Sequence, residues 1–173
     1  FKNSPFKDID DNIKIETYPI IKYYDYRVSG TISDKGKANL LFENNVNPEV
    51  VQTEKIEKNL EISESSKFCG EVKIDFRVFD REPEAIENLI NKGLINPVSK
   101  VLMGKREARN QLNEVYGVNI YKNSFRIRPY GNKGVDWLGL DKSRVQSFAD
   151  RVSNNQIVGF VTIQSEEASG LEE

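Results

Sequence analysis

The stretch NQIVGFVTIQ, from Asn155 to Gln164, places Ile157, Gly159, Val161 and Ile163 on one side of an extended chain and Val158, Phe160 and Thr162 on the other. Side chains alternate across a strand, so a half-buried strand would carry a polar face. Here both faces are apolar, which is the mark of a central strand covered from both sides. The rest of the chain must therefore supply neighbouring strands and at least one covering layer.

Those strands are legible. In KFCGEVKIDFRVFDRE, Val72, Ile74, Phe76 and Val78 alternate with Lys73, Asp75 and Arg77, the clearest strand of the chain. YYDYRVSGTIS and ANLLFEN read as the arms of a hairpin around the turn Ser33–Lys37. IKIETY alternates Ile13, Ile15 and Thr17 with Lys14 and Glu16, an earlier half-buried strand. GVNIYKNSFRIRPYG gives two short strands turning at Lys122-Asn123, with Phe125 and Ile127 toward the core. The segment 44–66 stays open between a short strand with a helix and a long excursion.

Two helices separate the strands. EPEAIENLINKG has Pro83 in its first turn, Gly93 as its stop, and a stripe of Ala85, Ile86, Leu89 and Ile90. The second is expected from an N-cap at Ser99 to Gly117, burying Val101, Leu102, Ala108, Leu112 and Val115. Strands, two helices, then strands make an α+β class: a mixed sheet with two helices on one face. One domain, 12–165, is expected, with a lead-in at 1–11 and an acidic tail at 166–173. The chain opens on Phe1, which reads as a piece of something longer.

Composition excludes much chemistry. With no histidine, Ser-His or Cys-His nucleophile activation and His-bearing zinc or iron sites cannot be built. Cys69 is the single cysteine, so it forms no intramolecular disulfide; it reads as a small buried hydrophobe, and a cytoplasmic setting is expected. No apolar run approaches a membrane span, so no membrane partner is expected. Glycine-rich candidates fail as phosphate loops: five residues separate Gly30 from Gly36 where a P-loop needs four, and GNKGVD lacks the dinucleotide spacing. The acids Asp8, Asp10 and Asp11 lack EF-hand spacing.

The net charge of −2 hides a local asymmetry. Residues 100–155 carry eleven Lys/Arg against five Asp/Glu, whereas 1–99 carry fourteen against eighteen. Arg126 and Arg128 lie two apart and share a strand face, either an ordinary solvated face or one that meets an anion or a partner. They lead into Pro129, Tyr130, Gly131, Lys133, Gly134, Asp136 and Trp137, a loop costly to order. That loop reads as a docking element or as a corner pinned by a buried tryptophan. Asn154 and Asn155 serve as turn residues or as amide contacts to a partner.

From Gly117 to Ile163 the residues resemble the second domain of bacterial ATPases of the GHKL superfamily, which includes gyrases, heat-shock protein 90 type chaperones, histidine kinases and MutL. The pattern R-x-R-P-Y-G stands at Arg126 to Gly131, D-W-L-G-L-D at Asp136 to Asp141, an arginine at Arg144, and S-N-N-Q-I-x-G-x-V at Ser153 to Val161. The upstream FCGEVKIDFRVFDRE resembles the family strand that leads into the helical pair. The likeness covers roughly the second two-thirds of the chain.

This resemblance implies a transducer domain with a left-handed βαβ fold, like the second domain of a small-ribosomal-subunit protein. It also implies that ATP and Mg²⁺ bind in a preceding, N-terminal ATPase domain of the same chain, whose motifs are not among these residues. The family's γ-phosphate-reaching basic residue is expected in an Arg-Glu-Gly stretch after the acidic run, a stretch these residues do not include. A homodimer of the parent is a further expectation. No catalytic residue is expected here; Arg126, Arg128, Tyr130, Lys133, Asp136, Trp137, Arg144, Asn154 and Asn155 are the partner-docking or anion-facing candidates. The rival reading is a nucleic-acid-binding module using the basic face around Arg126 and Arg128.

Overall fold

A computed structural model describes residues 17–61, 70–146 and 151–164. The chain forms a seven-stranded mixed sheet and three α-helices in an α+β arrangement. The strands are β1 (Tyr26–Ile32), β2 (Lys37–Asn44), β3 (Gln52–Asn59), β4 (Val72–Val78), β5 (Gly117–Lys122), β6 (Phe125–Ile127) and β7 (Ile157–Ile163). The helices are α1 (Pro83–Asn91), α2 (Lys105–Val115) and α3 (Leu140–Gln146). In space the strands run β3-β2-β1-β4-β7-β5-β6. Every neighbouring pair is antiparallel except β5 and β7, which are parallel.

The two-sided strand β7 sits between β4 and β5, the interior place its composition requires. Val158 joins Phe79 and the apolar faces of α1 and α2 (Ile86, Leu89, Ala108, Leu112) in one core. Ile157 and Val161 join Val118 in a second core on the opposite face, with Phe76 of β4 and Leu140 of α3 packed against it. Gly159 leaves room for its two cross-strand neighbours on that face: a Cβ there would lie 2.8 Å from the Val118 side chain and 2.9 Å from Phe76. Fully burying each such aliphatic side chain contributes about 1.5–3 kcal/mol.

The hairpin turn between β1 and β2 spans Ser33 to Lys37 as the sequence predicts, with Ser33 N–H donating to Lys37 O at 2.9 Å. The open segment contains strand β3, paired along its length with β2. Its alternating Glu54, Lys55, Glu57 and Lys58 are exposed, the charge that protects a sheet edge from further pairing. The early strand reading is corrected in part: Thr17 and Tyr18 are not extended in a sheet, and Pro19–Lys22 form a 3-10 turn that buries Ile20. Ile13 to Glu16, Cys69 and the acids Asp8 to Asp11 lie outside the described residues.

Helix α2 starts later than expected. Gly104 is its N-cap, and Ser99, Val101 and Leu102 belong to an exposed loop. Asn96 organises that loop: its Oδ1 accepts the Val98 and Ser99 N–H groups, and its O accepts that of Lys100. These bonds satisfy backbone groups that a longer helix would have used. The β5–β6 turn also shifts by one residue, to Asn123-Ser124, both at positive φ.

Polar groups tie the sheet to its surroundings. Arg27 and Arg77 each grip Asp75 with two nitrogens, at 2.8 and 3.1 Å and at 3.2 and 2.7 Å, while Arg27 also reaches Glu43 at 3.0 Å. Burial alone would raise the Asp75 carboxyl, but the two arginines outweigh it and hold it below the usual carboxylate range. At the end of α1, Lys92 lies 3.5 Å from Asp25, with only 6% and 5% of the two side chains exposed. Lys92 also donates to Asn45 O at 2.6 Å and Tyr24 O at 3.3 Å, which staples α1 to the start of β1 and the end of β2. Among the described residues no helix is long and apolar enough to cross a membrane.

Candidate functional site

The loop from Arg128 to α3 is built from consecutive tight turns. Asn132 N–H donates to Pro129 O, and Val135 N–H to Asn132 O, each at 2.9 Å. Gly131 has φ +72 and lies so close to Asn119 of β5 that a Cβ would strike its side chain and Cα, so no other residue fits there. Asp136 then caps α3: its two carboxylate oxygens accept the N–H groups of Leu140 and Asp141, each at 2.9 Å. An acid in that position also suits the positive end of the helix.

Trp137 fastens the loop to the sheet. Its Nε1–H donates to Val118 O of β5 at 2.8 Å, and Tyr130 packs edge-on against the indole at 5.3 Å. The indole remains 37% exposed, so it is a clamp lying over the sheet margin and not a core residue.

The far side of α3 is bound to the start of β7. Arg144 donates to Ser153 Oγ at 2.9 Å and to Gln156 Oε1 at 3.1 Å. Gln156 Oε1 also accepts the Ser153 N–H at 3.0 Å, half of a reciprocal capping box. Asn154 is buried; its N–H donates to Asp141 Oδ1 at 2.9 Å and its side-chain amide reaches Val135 O at 3.4 Å. Asn155 accepts from Ser153 Oγ at 2.6 Å, and its backbone oxygen accepts from Arg81 at 3.0 Å. Arg81 also bonds Asn113 of α2, so the latch reaches the helical layer.

Of the residues singled out in the sequence, Tyr130, Asp136, Trp137, Arg144, Asn154 and Asn155 meet in this one hydrogen-bonded unit. Arg126 braces it from β6, donating to Tyr130 O at 3.2 Å and Asn132 Oδ1 at 3.0 Å. Lys133 stands apart and exposed, 3.7 Å from Glu114. Arg128 is exposed and has no hydrogen bond or ion pair among the described residues. Phe125 does not point into the core as expected. It is 78% exposed, because its side of the sheet is right but it sits at the hairpin tip, past the layer that covers Ile120 and Ile127. Asp141, Ser153 and Gln156 belong to the quoted motifs but not to the docking candidates; the S-x-x-Q spacing of a capping box is the signal that marks two of them.

Beside the latch, on the helix-side face of the sheet, lies an open groove of about 560 Å³. Tyr121 and Phe160 line it, with Arg126, Lys22, Arg77 and Glu114 around them. Arg77 lies over the Phe160 ring at 5.8 Å, already holds Asp75, and donates to Ile21 O at 2.8 Å. Arg126 is likewise spent on the latch. The two guanidinium groups of the groove thus already donate to protein acceptors. Among the described residues no three His, Cys, Asp or Glu side chains converge to hold a metal ion. No protein-family model, curated protein or solved structure matches the chain.

Proposed function

We propose that the chain is a non-catalytic transducer domain of a larger GHKL-type ATP-binding protein, working in the cytoplasm. In this reading it couples ATP binding and hydrolysis in an N-terminal ATPase domain to a change of shape. A left-handed crossover would join the parallel pair β5 and β7.

One observation carries the reading. The four separate motifs on which the resemblance rests, R-x-R-P-Y-G, D-W-L-G-L-D, Arg144 and S-N-N-Q, converge into one bonded latch. That latch ties the edge hairpin β5–β6 to the central strand β7 through α3. A displacement imposed at the edge is thereby transmitted to the middle of the sheet and, through Arg81, to the helices. Arg128, exposed beside the latch and without a hydrogen bond or ion pair among the described residues, is suited to an acidic or phosphate-bearing neighbour.

The rival, a nucleic-acid-binding module, draws on the aromatic pair Tyr121 and Phe160 beside Arg126. Phosphate contacts would then dominate and binding would collapse with added salt. The commitment of Arg77 and Arg126 to internal acceptors favours the transducer reading. Phosphoryl chemistry depends on positioning and electrostatic stabilisation that need a dedicated site. Calorimetric titration of the chain with ATP and Mg²⁺ is therefore expected to give no saturable heat. Saturable binding in the micromolar range would sink the non-catalytic assignment.

A further inference from the structure

Arg81 is half-buried between β4 and α1, yet no carboxylate answers its charge among the described residues. Its Nη1 donates to Asn155 O at 3.0 Å and its Nη2 to Asn113 Oδ1, both neutral acceptors. A guanidinium keeps further N–H groups after two such bonds. Asn113 lies on α2 with Arg109 one turn before it, and residues four apart share a helix face. Tyr116, three positions on, continues the same row. Burial lowers the Arg81 guanidinium from its ordinary value; nearby Tyr116 opposes this, and the Arg109 charge lowers it further. The two cations are thus neighbours in spite of their repulsion.

The carboxylates of the neighbourhood face other partners. Asp80 accepts the Glu82 N–H at 3.0 Å, Glu107 accepts from the Asn96 amide at 2.5 Å, and Glu114 lies 3.7 Å from Lys133. Glu82 and Glu84 are exposed and form no ion pair among the described residues. Arg109 is exposed as well, with no hydrogen bond or ion pair among them. Asn113 spends its oxygen on Arg81, so its Nδ2 is the group left to offer a ligand. The cluster is therefore rich in donors and carries no negative charge of its own.

We propose that Arg81, Arg109, Asn113 and Tyr116 form a binding site for a phosphate group carrying two negative charges. Two guanidinium groups match that charge, whereas a single carboxylate would leave one of them unanswered. Guanidinium forks, an amide and a hydroxyl also suit an anion that accepts from several directions. Arg81 is held in advance by Asn155 and Asn113, so little further ordering is needed on binding. The site stands on these side chains and not on the transducer reading. It is also distinct from the γ-phosphate-reaching residue that the resemblance implies, which is expected after the acidic run.

Titration of the isotope-labelled chain with inorganic phosphate, at about pH 8 where it is a dianion and at constant ionic strength, tests this through amide NMR shifts. Saturable shifts centred on Arg81, Arg109, Asn113 and Tyr116 are expected, half-complete at about 1 mM. At micromolar ligand such a site stays empty, so it adds no heat to a titration with ATP. Arg109→Ala should weaken binding about fivefold or more, because charge-assisted bonds are lost. Asn113→Asp sets a carboxylate beside Arg81 and should abolish saturation. Both positions are exposed, so the melting temperature should not fall. Lys142→Ala, exposed on α3, should bind as the wild type does. O-phosphoserine binding as well as phosphate would assign the site to a phosphate ester, and phosphate binding alone to the free ion. Shifts that do not saturate, shifts that acetate reproduces at equal concentration, or an Arg109→Ala variant that binds like the wild type would each overturn the proposal.

Discussion

Replacing Lys92 with methionine is expected to destabilise the chain by about 3–5 kcal/mol, the usual cost of removing one partner from a buried ion pair. Methionine fills similar space, so the loss is electrostatic and not a cavity. Asp25 would retain the Asp80 N–H at 2.8 Å but lose its cation, and the carbonyls of Asn45 and Tyr24 would lose their shared donor. The pH dependence supplies a second readout. Burial raises the Asp25 carboxyl above 3.8, and the Asp80 N–H and Lys92 offset only part of that. A carboxyl raised in the folded state binds its proton more readily there than in the unfolded chain. Its contribution is therefore fully present below the unfolded value and is lost as pH rises through the folded one. Without Lys92 the rise is larger, so the deficit in urea melts should be greatest near neutrality and shrink on acidification. A deficit below about 1 kcal/mol, or one that grows toward acid pH, would contradict this account.

The second large effect is expected at Trp137. Trp137→Ala removes the Nε1–H bond to Val118 O, the edge-on contact with Tyr130 and the cover over the sheet margin. The loss should be about 2–4 kcal/mol, below that of a fully buried tryptophan because part of the indole is exposed. Trp137→Phe keeps a ring and loses the donor, so it should cost about 1 kcal/mol more than packing alone explains. The damage should be local: amide hydrogen exchange should quicken in β5, β6 and α3, while the α1–α2 core keeps its protection. Uniform acceleration across the chain, or none, would show that the loop is not a separate latch.

These two sites differ in how far the sequence reveals them. The central place of β7 follows from its two apolar faces, and β4 from strict alternation, because a one-residue slip would turn every side chain over. Asp25 and Lys92 are 67 residues apart and carry no local pattern, so their pairing is a product of tertiary packing alone. The start of α2 is hidden for a related reason. Val101 and Leu102 have helical spacing with Ala108 and Leu112, but a single asparagine at position 96 redirects the backbone into a loop. Strand β3 was hidden because both its faces are charged, which leaves alternation nothing to act on. The loop residues were identifiable by their cost, yet the direction of their bonds, inward to one another, depends on Val118 and Asn154, which lie on other elements. Helix α3 is not legible, because Gly139 precedes it and Asp136, whose carboxylate accepts the Leu140 and Asp141 N–H groups, lies outside N-cap spacing.

On the proposed transducer reading, exposed Arg128 at the start of the loop is a contact for an ATPase domain of the same protein. Steady-state ATP hydrolysis by the full-length protein carrying Arg128→Ala tests it most directly. Arg128 makes no internal bond among the described residues, so the melting temperature should stay at the wild-type value. The account predicts that turnover falls by about tenfold while ATP affinity is kept, the signature of a lost coupling contact. Turnover equal to that of the wild type, with the domain folded, would contradict it.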